Sequence, residues 1–129
     1  MIVVDTSVWV AHFRNQISAA VAKLRAVADP EDIIVGDLIL LECLQGARDE
    51  NHARRLQGLL GVFATAPMLD ARLAIDGARH YRTLRRRGIT PRKTVDIVIA
   101  TFCIDRGYLL LHQDRDFDAM APHVGLRIM

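Results

Sequence analysis

Short apolar runs alternate with segments of helical period from one end of this chain to the other. Residues 2–4 (IVV) form the first run, and Thr6 to Phe13 then suit a short helix whose start Asp5 or Thr6 would cap. Residues 17–28 continue at helical spacing as far as Asp29-Pro30, where a missing backbone donor and a fixed φ stop the helix. A second strand is expected at 32–35 (DIIV), followed by a helix that Asp37 caps, that runs through Gln45 and that Gly46 stops. Residues 49–60 give another helix and 62–65 a weaker strand. From Asp70 to Arg87 the positions Ile75, Ala78, Tyr81 and Leu84 recur at helical spacing, and Gly88 closes the element. The segment from Thr94 to Asp105 is apolar nearly all round, which predicts a central helix, and 108–111 (YLLL) and 125–128 would be the last strands. Strands that alternate with helices predict an α/β fold with a mostly parallel sheet. No linker, repeat or low-complexity stretch divides it, so residues 1–129 are expected to form one domain.

Four acidic residues break this pattern. Asp5 ends the run MIVV, Glu42 interrupts LILLECL, Asp96 interrupts TVDIVIATFCI, and Asp114 follows YLLLHQ. A buried lone charge costs several kcal/mol unless a partner or a metal compensates it. Ligands of open parallel sheets bind outside the carboxyl ends of the strands, where Asp5 and Asp114 fall, and Glu42 and Asp96 lie near the starts of helices that can aim into the same crevice. Carboxylates brought together without a cation would repel by about 4 kcal/mol per close pair at an effective dielectric near 20. A divalent cation relieves that repulsion. Oxygen donors without a Cys or His cluster select Mg²⁺ or Mn²⁺ over zinc. Each acid also has a plainer reading: Asp5 as a helix cap, Asp114 and Asp116 as turn residues. Glu42 and Asp96 fit such readings less well, because a mostly buried helix has little use for a lone carboxylate.

Composition narrows the picture. A chain of 129 residues buries roughly two-thirds of its unfolded surface, enough for a sizeable core. With 51% hydrophobic and 25% charged residues it reads as globular, and no apolar run approaches the roughly 20 residues of a membrane span. No basic segment precedes the first apolar stretch, so no signal peptide is expected and the cytoplasm is the expected compartment. Cys43 and Cys103 lie in apolar segments and read as packed thiols. The net charge of +2 is small but unevenly placed: Arg85, Arg86 and Arg87 cluster, with Arg92 and Lys93 shortly after. A basic surface beside an acidic pocket suits a polyanionic ligand approaching bound cations, although the same arginines also suit a solvated helix end. The five histidines are scattered, and Trp9, Phe13 and Tyr81 read as core or dimer-face residues rather than base-stacking platforms.

With Asp5 in VVDTSVWV, Glu42 in DLILLECLQG, Asp96 in KTVDIVIAT and Asp114 in LLHQDRDFD, the chain resembles the PIN-domain ribonucleases, and in particular the VapC-type toxins of type II toxin–antitoxin systems. The resemblance covers essentially the whole chain in the right order. It implies a three-layer α/β/α sandwich and a Mg²⁺- or Mn²⁺-dependent endoribonuclease that leaves a 5′-phosphate and a 3′-hydroxyl. Asp5, Glu42, Asp96 and Asp114 would be the catalytic metal-binding acids, Asp116 an additional one, and Thr6 or Ser7 a supporting hydroxyl. Asp96 or Glu42 would accept the proton of the attacking water. The resemblance further implies a homodimer and a cognate antitoxin whose tail enters the groove and places an arginine among the acids. Relatives often carry threonine two places before the fourth acid; here His112 stands there. Two rival classes stay open. A haloacid-dehalogenase-like phosphatase or a receiver domain also has aspartate after its first strand. The former wants a second aspartate where Ser7 stands, and the latter an acidic pair where this chain has valine. The other rival is a catalytically inactive RNA-binding module of the same fold.

Overall fold

The computed structural model describes all residues from Met1 to Met129. Strands β1 (Ile2–Val4), β2 (Ile33–Gly36), β3 (Ala64–Ala66), β4 (Leu109–Leu111) and β5 (Arg127–Ile128) form one sheet in the order β3-β2-β1-β4-β5, and every pair is parallel. Parallel neighbours need crossover connections, and helices supply them all. Helices α1 (Thr6–Phe13), α2 (Ala19–Ala26), α3 (Asp37–Gln45) and α4 (Glu50–Leu60) connect β1 to β2 and β2 to β3. Helices α5 (Ala71–Arg86) and α6 (Thr94–Arg106) then carry the chain back past β2 and β1 to β4, and α7 (Arg115–Val124) leads to β5. Right-handed crossovers running in opposite directions put the two groups on opposite faces of the sheet. The packing agrees, with α1, α2, α3 and α4 in one group of contacts and α5, α6 and α7 in the other.

One core of 27 buried residues runs through both layers, including Val3, Val4, Val35, Leu110 and Leu111 from the sheet. Helix α6 is central as expected: residues from Asp96 to Cys103 are all buried. Gly36 ends β2 with the buried Met68 side chain lying against it, where a Cβ would crowd the Met68 sulfur.

Several boundaries differ from the sequence reading, and caps explain most of them. Ser18 accepts from the backbone N–H of Val21, so α2 begins at Ala19 rather than 17, and it ends at Ala26. Asp29 caps a short 3-10 turn, Pro30–Asp32, which delays β2 to Ile33. Asp37 is the first residue of α3 rather than its cap; Gly36 occupies the cap, and the Asp37 carboxylate accepts from the N–H groups of Leu38 and Met68. The weak strand at 62–65 is found at Ala64–Ala66. Helix α7 was not foreseen at all. Asp114 starts it, and Phe117, Met120 and Val124 turn its apolar side inward; Gly125, at φ 77°, ends it in a left-handed conformation that only glycine adopts readily and shortens the last strand to Arg127–Ile128.

Candidate functional site

The order of strands reverses between β1 and β4, and this is the place where a doubly wound sheet opens a crevice at its carboxyl edge. Val4 pairs with Leu111, so the next step of the register sets Asp5 beside His112. The backbone N–H of Asp5 donates to the Leu111 carbonyl at 2.9 Å, which stitches the two strand tips together. Asp5 is 5% exposed and caps α1, accepting from both the N–H and the hydroxyl of Ser7. The Ser7 hydroxyl in turn accepts from the N–H of Gln113 at 3.3 Å, joining Asp5 to the loop after β4. From the neighbouring helix of the same layer, Glu42 projects off α3 and accepts from the Thr6 hydroxyl at 2.8 Å. Both hydroxyls that the sequence singled out therefore orient acids, Ser7 at Asp5 and Thr6 at Glu42.

Asp96, Asp114 and Asp116 converge most closely: one oxygen from each lies within 4.8 Å of the others. The three come from helix starts. Asp96 is in the first turn of α6, Asp114 caps α7 by accepting from the Asp116 N–H, and Asp116 is in the first turn of α7. Helix N-termini favour negative charge, which partly offsets the crowding. It does not offset it fully. Asp96 is 6% exposed, and its Oδ2 has no hydrogen-bond partner. Burial first, then the charge of Asp5, with Asp114 and Glu42 adding to it and Lys93 opposing, raises its carboxyl from the usual 3.8 to about 6. Asp5 and Glu42 thus lie outside the tight trio, yet their fields reach it.

A buried carboxylate oxygen without a partner, facing further carboxylates, is what a hard cation would satisfy. The donor set is all oxygen. The two cysteines do not enter it: burial, followed by the charges of neighbouring acids, pushes the thiols of Cys43 and Cys103 up to about 12, so both are protonated packing residues.

The basic residues separate into two groups. Arg92 donates to Asp116 at 2.9 Å, and Lys93, the residue that caps α6, acts on Asp96 through its charge. These two stand at the acids. Arg85, Arg86 and Arg87 stand at the end of α5, where Arg85 reaches Tyr81, Arg86 reaches Thr83, and none bonds a site carboxylate.

A model of the family described as "PIN domain" matches residues 2–122. The chain belongs to the PIN-domain family. Within it, the chain is 37% identical over 132 residues to Ribonuclease VapC11 of Mycobacterium tuberculosis, spanning 98% of this chain and 96% of that one, so it falls in the VapC group. Solved structures share its fold. FitAB bound to IR36 DNA fragment superposes with a TM-score of 0.80 at 19% identity, covering 100% of this chain and 94% of the other. VapBC2 from Rickettsia felis, bound to a DNA fragment from its promoter, gives 0.79 at 16% identity, covering 100% and 98%.

In this PIN domain two parts of the site escaped the sequence reading. Arg92 was singled out for RNA, not as a partner of Asp116. Asp118, one turn into α7, receives a contact from His112 that became visible only once α7 existed. The one available signal is the helical spacing of Phe117, Met120 and Val124 just after Asp114 and Asp116.

Proposed function

We propose that this chain is the toxin of a toxin–antitoxin pair, a Mg²⁺- or Mn²⁺-dependent endoribonuclease that hydrolyses RNA phosphodiester bonds. The observation that carries the reading is the buried, unpartnered Oδ2 of Asp96 inside a trio of carboxylates at the switch point of a PIN sheet. Asp96, Asp114 and Asp116 would hold the cation, with Asp5 and Glu42 closing the crevice around it. A bound divalent cation would lower the pKa of water and neutralise charge developing on the scissile phosphate.

The chain's own groups supply the rest. Ser7 and Thr6 fix Asp5 and Glu42 in place, so both acids meet the substrate with little reorganisation. Asp96 or Glu42 accepts the proton of the attacking water. Lys93 and Arg92, exposed beside the acids, meet RNA phosphates, and Arg85, Arg86 and Arg87 extend the basic surface. The 37% identity to a ribonuclease over nearly the full length supports RNA as substrate, and the likeness to FitAB and VapBC complexes supports a cognate antitoxin. We place the chain itself in the cytoplasm as a homodimer. Apolar Leu41 on α3 and Leu69 and Ile75 near the start of α5 are exposed and offer surface for a second copy. No helix is long and apolar enough to cross a membrane.

The test is cleavage of a mixed RNA pool by the purified chain with Mg²⁺, with Mn²⁺ and with a chelator. Cleavage should require the cation, leave 5′-phosphate ends, and disappear in Asp5→Asn and Asp96→Asn. Cleavage that persists in the chelator, or in both variants, would remove the acids from the reaction.

A further inference from the structure

His112 follows β4 directly and faces the start of α7, in the position where relatives often have threonine. Its side chain is 4% exposed and packs on Phe117, with ring centroids 5.2 Å apart. Both ring nitrogens are engaged. Nδ1 accepts from the backbone N–H of Asp114 at 3.1 Å, and Nε2 lies 3.1 Å from Oδ1 of Asp118. A nitrogen that accepts an N–H carries no proton, so the ring proton sits on Nε2, the nitrogen that faces the Asp118 carboxylate. The ring therefore spans from the helix cap to the first turn of α7. Asp114 and Asp116 both lie within that span.

Their carboxylates must point at Asp96 against mutual repulsion, on a loop and a helix start that would otherwise let them turn away. The backbone of Asp114 is held by the His112 ring, while its carboxylate is occupied with the Asp116 N–H. A threonine hydroxyl could take up the nearer of the two ring contacts, but its short side chain would not reach Asp118.

We propose that His112 is a positioning residue of the acidic site: it fixes Asp114 and Asp116 in their convergent arrangement by clamping the Asp114 backbone to Asp118. The inference rests on the proposed cation site. Residues that orient metal ligands from behind typically change affinity by about 10- to 100-fold when removed. His112 would act in that manner, through the backbone rather than through a ligand atom.

Two measurements on the full chain test it: Mn²⁺ affinity by calorimetry, and hydrogen exchange of the Asp114 amide in chelator. His112→Ala should weaken Mn²⁺ binding by roughly 10-fold or more and expose the Asp114 amide to exchange. His112→Asn, whose side-chain oxygen can take the place of Nδ1, should restore amide protection and most of the affinity. Asp118→Ala, at a residue whose side chain is 66% exposed and whose loss should leave folding intact, should weaken binding by a few-fold with little change in melting temperature. Leu56→Ala, in α4 on the opposite face of the sheet, serves as the control: it should lower stability and leave Mn²⁺ affinity unchanged. Wild-type affinity in both His112→Ala and Asp118→Ala would overturn the clamp while leaving the cation site standing. A wild-type chain that binds no Mn²⁺ would remove the site itself and the positioning role with it. If His112→Ala fails to fold, the Asp118→Ala and His112→Asn results decide alone: unchanged affinity in the former, or no amide protection in the latter, overturns the proposal.

Discussion

Replacing Asp96 by asparagine should cost the protein its activity and make it more stable, and the size of the gain follows from the site. In the unfolded chain this carboxyl ionises near the usual 3.8, whereas in the folded protein burial and the field of Asp5 hold its proton up to about 6. Between those values the folded state binds more protons than the unfolded state, so stability falls as pH rises through the window. Above about pH 6 the penalty is complete. Roughly two pKa units at about 1.4 kcal/mol each give about 3 kcal/mol. Asparagine has the same shape, carries no charge and so escapes the penalty. The assay is a set of thermal melts of wild type and Asp96→Asn in chelator from pH 4 to pH 8. At pH 4 and below, where the carboxyl is protonated in the folded state and increasingly in the unfolded state, the two should converge. At pH 7.5 the variant should melt about 10 °C higher. Other carboxylates titrate in both proteins, so the difference between the curves isolates this residue. Mn²⁺ at about 1,000 times its Kd should reverse the order, because it adds about 4.1 kcal/mol to wild type alone. A difference that does not vary with pH, or a variant less stable than wild type at pH 7.5 without metal, would refute the account of Asp96 as a buried, repelled carboxylate.

Two further predictions concern the charges around the same crevice. Arg92→Ala should weaken RNA binding about equally across sequences and lower the salt slope by about 1, measured by fluorescence anisotropy at several salt concentrations in chelator; the triple change of Arg85, Arg86 and Arg87 to alanine should lower it further if they meet phosphates, and an unchanged slope would return them to a solvated helix end. An antitoxin that places an arginine among the acids should bind more weakly as Mg²⁺ or Mn²⁺ rises, because linkage makes mutually exclusive ligands oppose each other. Titration of the purified pair by calorimetry at low and high metal checks this, and an affinity indifferent to metal would mean that the partner covers the groove without entering it.

The order of elements is legible because the central strands β1, β2 and β4 are short, mostly buried apolar runs, and because α6 is buried from Asp96 to Cys103. The misplacements have local causes. Asp29 and Ser18 cap turns and helices a residue or two away from where periodicity alone would end them. Gly36 takes the cap expected of Asp37, whose carboxylate instead accepts from the N–H groups of Leu38 and Met68. Helix α7 is hidden by its own composition: Asp114 and Asp116 suit a turn, and Pro122, which disfavours a helix interior, interrupts the stripe of Phe117, Met120 and Val124. That omission concealed the contact of His112 with Asp118 as well.

The acids themselves could be found in sequence, since a carboxylate inside an apolar run needs a physical reason. Their division of labour could not. Whether Asp5 faces Ser7 or Asp96 depends on side-chain rotation at a helix cap, and whether Asp116 joins the trio depends on how the loop after β4 enters α7. Neither is encoded by spacing. The sheet, by contrast, fixes the broader arrangement: once β1 and β4 are neighbours at the switch point, the residues after both strand tips and the start of the helix leading into β4 must share one crevice. The repulsion built into that crevice is therefore a consequence of topology. The hydroxyls of Ser7 and Thr6, the charge of Lys93, the guanidinium of Arg92 and the ring of His112 are what this chain adds to hold its acids together in the absence of a cation, and each should be separable from the others by the response of metal affinity to its removal.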